Sequence, residues 1–183
     1  MGLLGASAPA AAGAFDLLET TTLASSASSV TFSGLDAYSD YKHLQIRVTA
    51  RTDRSLEADG ILMRLNSDSG SNYAHHRLAG NGTSVSVGAG SSQTSIKDQF
   101  QLAGNTASSG IFGAGVFDIL DFSSSTKNTT TRSLGGSHTV TYNAIMLSSG
   151  LWVNTDAVTS ILLQPTTGPN FITGSRFSLY GVK

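Results

Sequence analysis

Cysteine is missing from all 183 residues, which removes disulfides, thiol nucleophiles and thiolate zinc sites together. Charge is scarce as well: Asp, Glu, Lys and Arg make up 13% of the chain and sum to −1 at neutral pH. A basic field able to hold a phosphate backbone is therefore lacking, and nucleic acid is not an expected partner. The same scarcity leaves little repulsion between copies, so burial of part of the surface in an assembly is expected. No apolar run approaches the ~20 residues that a bilayer-crossing helix needs, and no membrane partner is expected. Helical i, i+3, i+4 spacing is absent from every ten-residue window. No repeat of fixed period occurs either, which excludes solenoids and propellers.

What is present is period-two patterning. In Lys42 to Arg51, Leu44, Ile46, Val48 and Ala50 alternate with Gln45, Arg47, Thr49 and Arg51. Successive strand residues point to opposite faces, so this segment has one face for a core and one for water or a partner. It is the expected centre of the fold. The length suits one domain, and a globule of this size buries roughly 70% of its extended-chain surface.

The remaining chain repeats that alternation in weaker form. Strands are expected around Phe15 to Leu23, Val30 to Leu35, Ile61 to Leu65 and Tyr73 to Leu78, the last two as a hairpin across Asn66 to Asn72. That hairpin would set Arg64 and Arg77 on one polar face. Asp36 to Asp40 is a short polar link with room for one helical turn. Ser84 to Ser92, rich in Gly and Ser, reads as an exposed or edge region. Ile96, Phe100 and Leu102 alternate with Lys97, Gln99 and Gln101, giving a further strand. Val116 to Phe122, Lys127 to Leu134, Val140 to Met146, Val158 to Leu163 and Arg176 to Val182 complete ten or eleven. Short strands punctuated by turn residues predict an all-β, antiparallel two-sheet sandwich, specifically a jelly roll, spanning residues 15–183.

Chemistry is harder to find. Asn66 to Asn72 places oxygen-bearing side chains at alternate positions, yet its Gly and its carboxylate count do not match a calcium loop. A hairpin loop is the reading. His75 and His76 are adjacent, so on a strand they face apart and cannot chelate one ion. No Gly-x-Ser-x-Gly elbow occurs, and Gly136-Ser137-His138 reads as a loop. The only glutamates are Glu19 and Glu57, and most aspartates lie in turns, which leaves no facing pair for glycoside hydrolysis. Asp118 and Asp121 read as partnered structural carboxylates, and Arg51, Asp53 and Arg54 as a surface ion-pair cluster. Trp152, the sole tryptophan, reads as a core or subunit contact. No catalytic residue, metal ligand or cofactor site is assigned.

Residues 1–14 form an Ala- and Gly-rich arm. It ends in an Ala-x-Ala-like stretch but lacks a basic n-region, so it is read as an arm and not a signal peptide. Leu3 and Leu4 are its only large aliphatics before Phe15. Leu3, Leu4, Phe15 and Trp152 are the expected partner contacts.

Four stretches together, Tyr41 to Arg47, Arg64 to Tyr73, Gly150-Leu151-Trp152 and Phe177 to Val182, resemble a group of virion structural proteins of tailed bacteriophages. The resemblance spans about residues 15 to 183 and rests on turn and strand signatures. It implies a capsid decoration (cement) protein, a homotrimer seated on the major capsid protein at the virion exterior and assembled in the bacterial cytoplasm. A tail or fibre module that binds glycan, through loops such as Ser67 to Asn72 or Gly80 to Ser92, is the alternative it leaves open.

Overall fold

The computed structural model describes residues 13–183. Among these residues twelve strands, all paired antiparallel, form two sheets. The smaller sheet runs β2 (Val30–Ser33), β11 (Ser160–Pro165), β4 (Ala58–Leu65), β7 (Gln101–Ala103). The larger runs β1 (Phe15–Thr22), β12 (Arg176–Val182), β3 (His43–Ala50), β8 (Gly113–Leu120), β9 (Thr129–His138), β10 (Asn143–Trp152), β5 (Tyr73–Gly80), β6 (Val85–Gln93). The only helical element among the described residues is a 3-10 turn at Leu35–Tyr38, in the polar link.

The strand order is that of a jelly roll. Take β2, β3, β4, β5, β6, β7, β10 and β11 as its eight strands. The first, eighth, third and sixth then make the small sheet, and the second, seventh, fourth and fifth line up in the large one. The β8–β9 hairpin is inserted between β3 and β10, and β12 and β1 extend the sheet beyond β3. Consecutive strands therefore cross between sheets, and this corrects one expectation. β4 and β5 do not form a hairpin: β4 pairs β11 and β7, whereas β5 pairs β10 and β6. Residues 66–72 arc from one sheet to the other, tied down by Tyr73, whose hydroxyl donates to the Leu65 carbonyl and accepts from the Leu65 amide. Arg64 and Arg77 consequently lie on different sheets.

The core fills the space between the sheets. Leu44, Ile46 and Ala50 are fully buried and Val48 nearly so, packed with Phe32, Ile61, Phe117, Ile161 and Phe177. β3 is thus the centre that its alternation predicts, paired to β12 on one side and β8 on the other.

Four strands cannot cover eight. Over β8, β9 and β10 the missing cover is supplied by residues 94–100, which insert Ile96 and Phe100 into the core. This segment is not the expected strand; only Gln101–Ala103 pairs as one. Alternation fails because Gln99 is also buried, its carbonyl accepting from the hydroxyls of Ser133 and Ser148. Hydroxyls on the inner faces of β9 and β10 meet a buried polar backbone here.

Candidate functional surface

The inner side of the large sheet is committed to the core, and its outer side is open to chemistry or contact. Strand register places outward side chains in rows across the sheet. One row reads Leu17, Tyr180, Gln45, Asp118, Arg132, Ser149, His76, Ala89. The next reads Ser178, Arg47, Val116, Leu134, Leu147, Leu78, Val87, and a third includes Thr49, Ala114, Gly136, Ile145, Gly80 and Val85. The face is divided between two chemistries.

Toward β1, β12 and β3 it is polar. The Arg47 guanidinium lies 4.2 Å from the Tyr180 ring centroid and 5.2 Å from that of Phe15. Arg47 Nε donates to Gln45, Gln45 donates to Asp118, and Arg132 Nε donates to the other Asp118 oxygen at 2.7 Å. Beside this chain, Tyr41 donates to Asp16, a bond that pushes the phenol pKa up.

Toward β9, β10, β5 and β6 the outer face is aliphatic. Leu78, Val85, Val87, Leu134, Ile145 and Leu147 are between 48% and 77% exposed, and they adjoin one another across four strands. No charged side chain stands among them; Arg132 and His76 occupy the neighbouring row. A shallow depression of about 780 Å³ lies between Leu78, Val87 and Leu147 on one side and His76 and Arg132 on the other. At one corner the β9–β10 turn is pinned by Glu57, whose Oε2 accepts from Thr139 Oγ1 (2.8 Å), the Thr141 amide (3.0 Å) and Thr141 Oγ1 (2.6 Å). The Thr141 and Thr139 hydroxyls hold that carboxyl below its ordinary pKa.

Several of the residues that could carry catalysis are tied to structural partners. Glu57 holds a turn, and Asp118 bridges Gln45 and Arg132. Asp121 sits 2.7 Å from Lys127, which lowers its pKa. Asp59 is fully buried and accepts the amides of Gly60, Thr167 and Gly168. Ser137 and His138 lie within β9, not in a loop, so they point to opposite faces. His75 faces inward, where desolvation lowers its pKa, while His76 faces out. Among the described residues no three His, Cys, Asp or Glu side chains gather as metal ligands. The expected Arg51–Asp53–Arg54 cluster dissolves. Arg51 is buried and donates to the carbonyls of Asn105, Ala107, Ser108 and Ile111, Asp53 binds Asn170, and Arg54 lies 3.7 Å from Asp59.

Of the expected partner contacts, Leu3 and Leu4 lie outside the described residues. Phe15 opens β1 and is 45% exposed. Trp152 closes β10 with 1% exposure, which corrects its assignment as a partner contact. Its ring stacks on Tyr73 at 6.4 Å and its Nε1 donates to Asp68 at 2.7 Å, so no face remains for a partner. The two aromatics are five strands apart, roughly 24 Å at normal strand spacing, and form no common site. The six aliphatic residues form an exposed apolar surface that the sequence reading misses. Their signal is in Asn143 to Trp152, where Ile145 and Leu147 are apolar in one phase and Ala144 and Met146 in the other. A strand of an antiparallel sheet that is apolar on both faces has something to cover on both.

No family model matches the chain, and no curated protein matches it. Among solved structures, the CBM40 of the Ruminococcus gnavus IT-sialidase, bound to alpha2,3 sialyllactose, is similar over 91% of this chain and 92% of its own, with 12% identity and a TM-score of 0.28. A likeness that slight carries no argument about fold or ligand. No helix among the described residues is long and apolar enough to cross a membrane.

Proposed function

We propose that this protein is a non-enzymatic structural protein of a tailed-phage virion, a decoration protein on the head exterior that contacts the major capsid protein and further copies of itself. The observation that supports it most is the character of the large sheet's outer face. Two register rows across β9, β10, β5 and β6 are exposed aliphatic surface without a charge, and the carboxylates described above are taken up by structural partners. Such a face suits burial against protein and offers nothing to polarise a bond. The action is then mechanical and needs no cofactor. Contacts of ~800 Å² per partner suffice for specific attachment, and many copies bound only to the assembled shell stabilise it by mass action. Assembly would occur in the bacterial cytoplasm, with the protein ending on the virion surface.

A glycan-binding tail module draws less support. In the loop 67–72, Asp68 is bonded to Trp152, Asn72 and the Gly70 amide, so its polar groups turn inward. Residues 80–92 are largely the strand β6. The test is to add purified protein to phage heads that lack it. Saturable co-sedimentation, with a rise in the temperature at which the heads release DNA, is expected. Heads that bind none of it, or bind it without gaining stability, overturn the proposal.

A further inference from the structure

We propose that the aliphatic half of the outer face is the surface through which two copies of this chain pair, large sheet against large sheet. The inference draws on the same surface as the virion reading and assigns that surface to the contact between copies, with the contact to the shell left to the rest of the molecule.

Leu78, Val85, Val87, Leu134, Ile145 and Leu147 are neighbours in register, so their exposed area is contiguous. With each about half exposed or more, they present on the order of 600 Å² of apolar surface, the upper end of what a monomer carries. Two such faces, with the row of Ala89, His76, Ser149 and Arg132 as rim, bury ~800 Å² per copy, the size of a stable interface. Sheets pack face to face at ~10 Å in this way inside every sandwich.

The chemistry selects a second copy over other occupants. An acidic or basic partner finds no charge in this surface to pair with, and its own charge would be desolvated for nothing. A sugar finds no aromatic ring among the six residues to stack on. An identical aliphatic face brings no charge to bury, and a two-fold axis in the plane of contact matches the patch to itself. The rim does not resist it: β6, the outermost strand, is Val85-Ser86-Val87-Gly88-Ala89-Gly90-Ser91-Ser92-Gln93, with no Lys, Pro or acid of the kind that guards free edges. Because the pairing uses up the face, it stops at two copies, a two-fold unit where the family resemblance implies a three-fold one.

The test uses the full chain in sedimentation velocity and light scattering across micromolar concentrations. The wild type is expected at twice the 18.9 kDa chain mass. Leu147→Glu places a carboxylate at the centre of the patch and should weaken pairing by ~100-fold or more. Thr49→Glu, outward on the polar half, should leave it unchanged. Should Leu147→Glu fail to fold, Val87→Glu on the edge strand serves in its place. A wild type that stays at one chain mass overturns the proposal, as does a dimer indifferent to both patch substitutions. A trimer that Leu147→Glu dissolves overturns the two-fold pairing. A monomer that associates only once residues 1–12 are deleted overturns it in favour of the arm as occupant.

Discussion

Phe100 rests on Gly135. A methyl group at that glycine would come 2.7 Å from Phe100 Cγ and 2.6 Å from the Ala114 carbonyl oxygen. A methyl group at Gly115, opposite Gly135 in register, would come 2.5 Å from the same ring. Two facing glycines make the dent in which residues 94–100 seat their largest side chain. Gly135→Ala should therefore destabilise by about 1–3 kcal/mol through overpacking, measured by urea unfolding. Phe100→Leu costs stability alone yet, by removing the ring carbons nearest Gly115, should reduce the penalty of Gly115→Ala in a double-mutant cycle. Strict additivity of the two would show that the contact is not the cause.

Ile46 and Gln45 are adjacent on β3 and face opposite ways. Ile46 is fully buried at the centre of the core, so Ile46→Ala should cost about 2–5 kcal/mol. Gln45 lies half-buried on the outer face between Arg47 and Asp118, and Gln45→Ala should stay within about 1 kcal/mol. Equal costs from chemical denaturation would contradict the facing.

Asp68 links the loop 66–72 to the core through Trp152. Hydrogen bonds from Trp152 Nε1 and then from Asn72 hold its pKa below the ordinary value. A carboxyl depressed in the folded state contributes stability that is present above its unfolded pKa, about 3.9. That contribution is lost as pH falls through the folded value. The fluorescence of Trp152 should report acid loosening of this corner below about pH 4. Asp68→Asn should lower stability at neutral pH and flatten that part of the acid limb. An acid limb identical in wild type and variant would remove Asp68 from the account.

The arm, Met1 to Ala14, precedes the first strand at Phe15. Deleting residues 1–12 leaves every strand from β1 onward intact, and the unfolding free energy should stay within about 0.5 kcal/mol of the full chain. If Leu3 and Leu4 anchor the protein on a neighbour or on the capsid, the truncated form should bind heads more weakly. Undiminished binding would make the arm a passive tail.

Strand positions were legible where one face is apolar and the other polar. Leu44 to Ala50 and Phe177 to Val182 fall where their alternation puts them. The crossing of β4 to β5 was not legible, because a hairpin loop and an arc between sheets use the same turn residues, Asn66 to Asn72. In the segment 94–100, Ile96 makes a single isolated bridge, to Met63, and Phe100 is buried outside any strand, which apolar spacing alone cannot distinguish from a strand. The strand expected from Val140 to Met146 begins only at Asn143, and Val140 and Tyr142 stand exposed in the turn that Glu57 holds. That bond joins residues 84 positions apart, beyond any local pattern. The candidate surface was hidden for a similar reason. Val85 and Leu78 come from the β5–β6 hairpin and Leu147 and Leu134 from β9–β10, far apart in sequence, and only register makes them neighbours.

The proposal that this is a capsid decoration protein is tested most directly by its copy number in purified virions, from quantitative mass spectrometry against the major capsid protein. The account predicts hundreds of copies per particle, in fixed ratio to the shell subunit. Tens of copies or fewer would place the protein in the tail and contradict the decoration reading, and none would remove it from the virion.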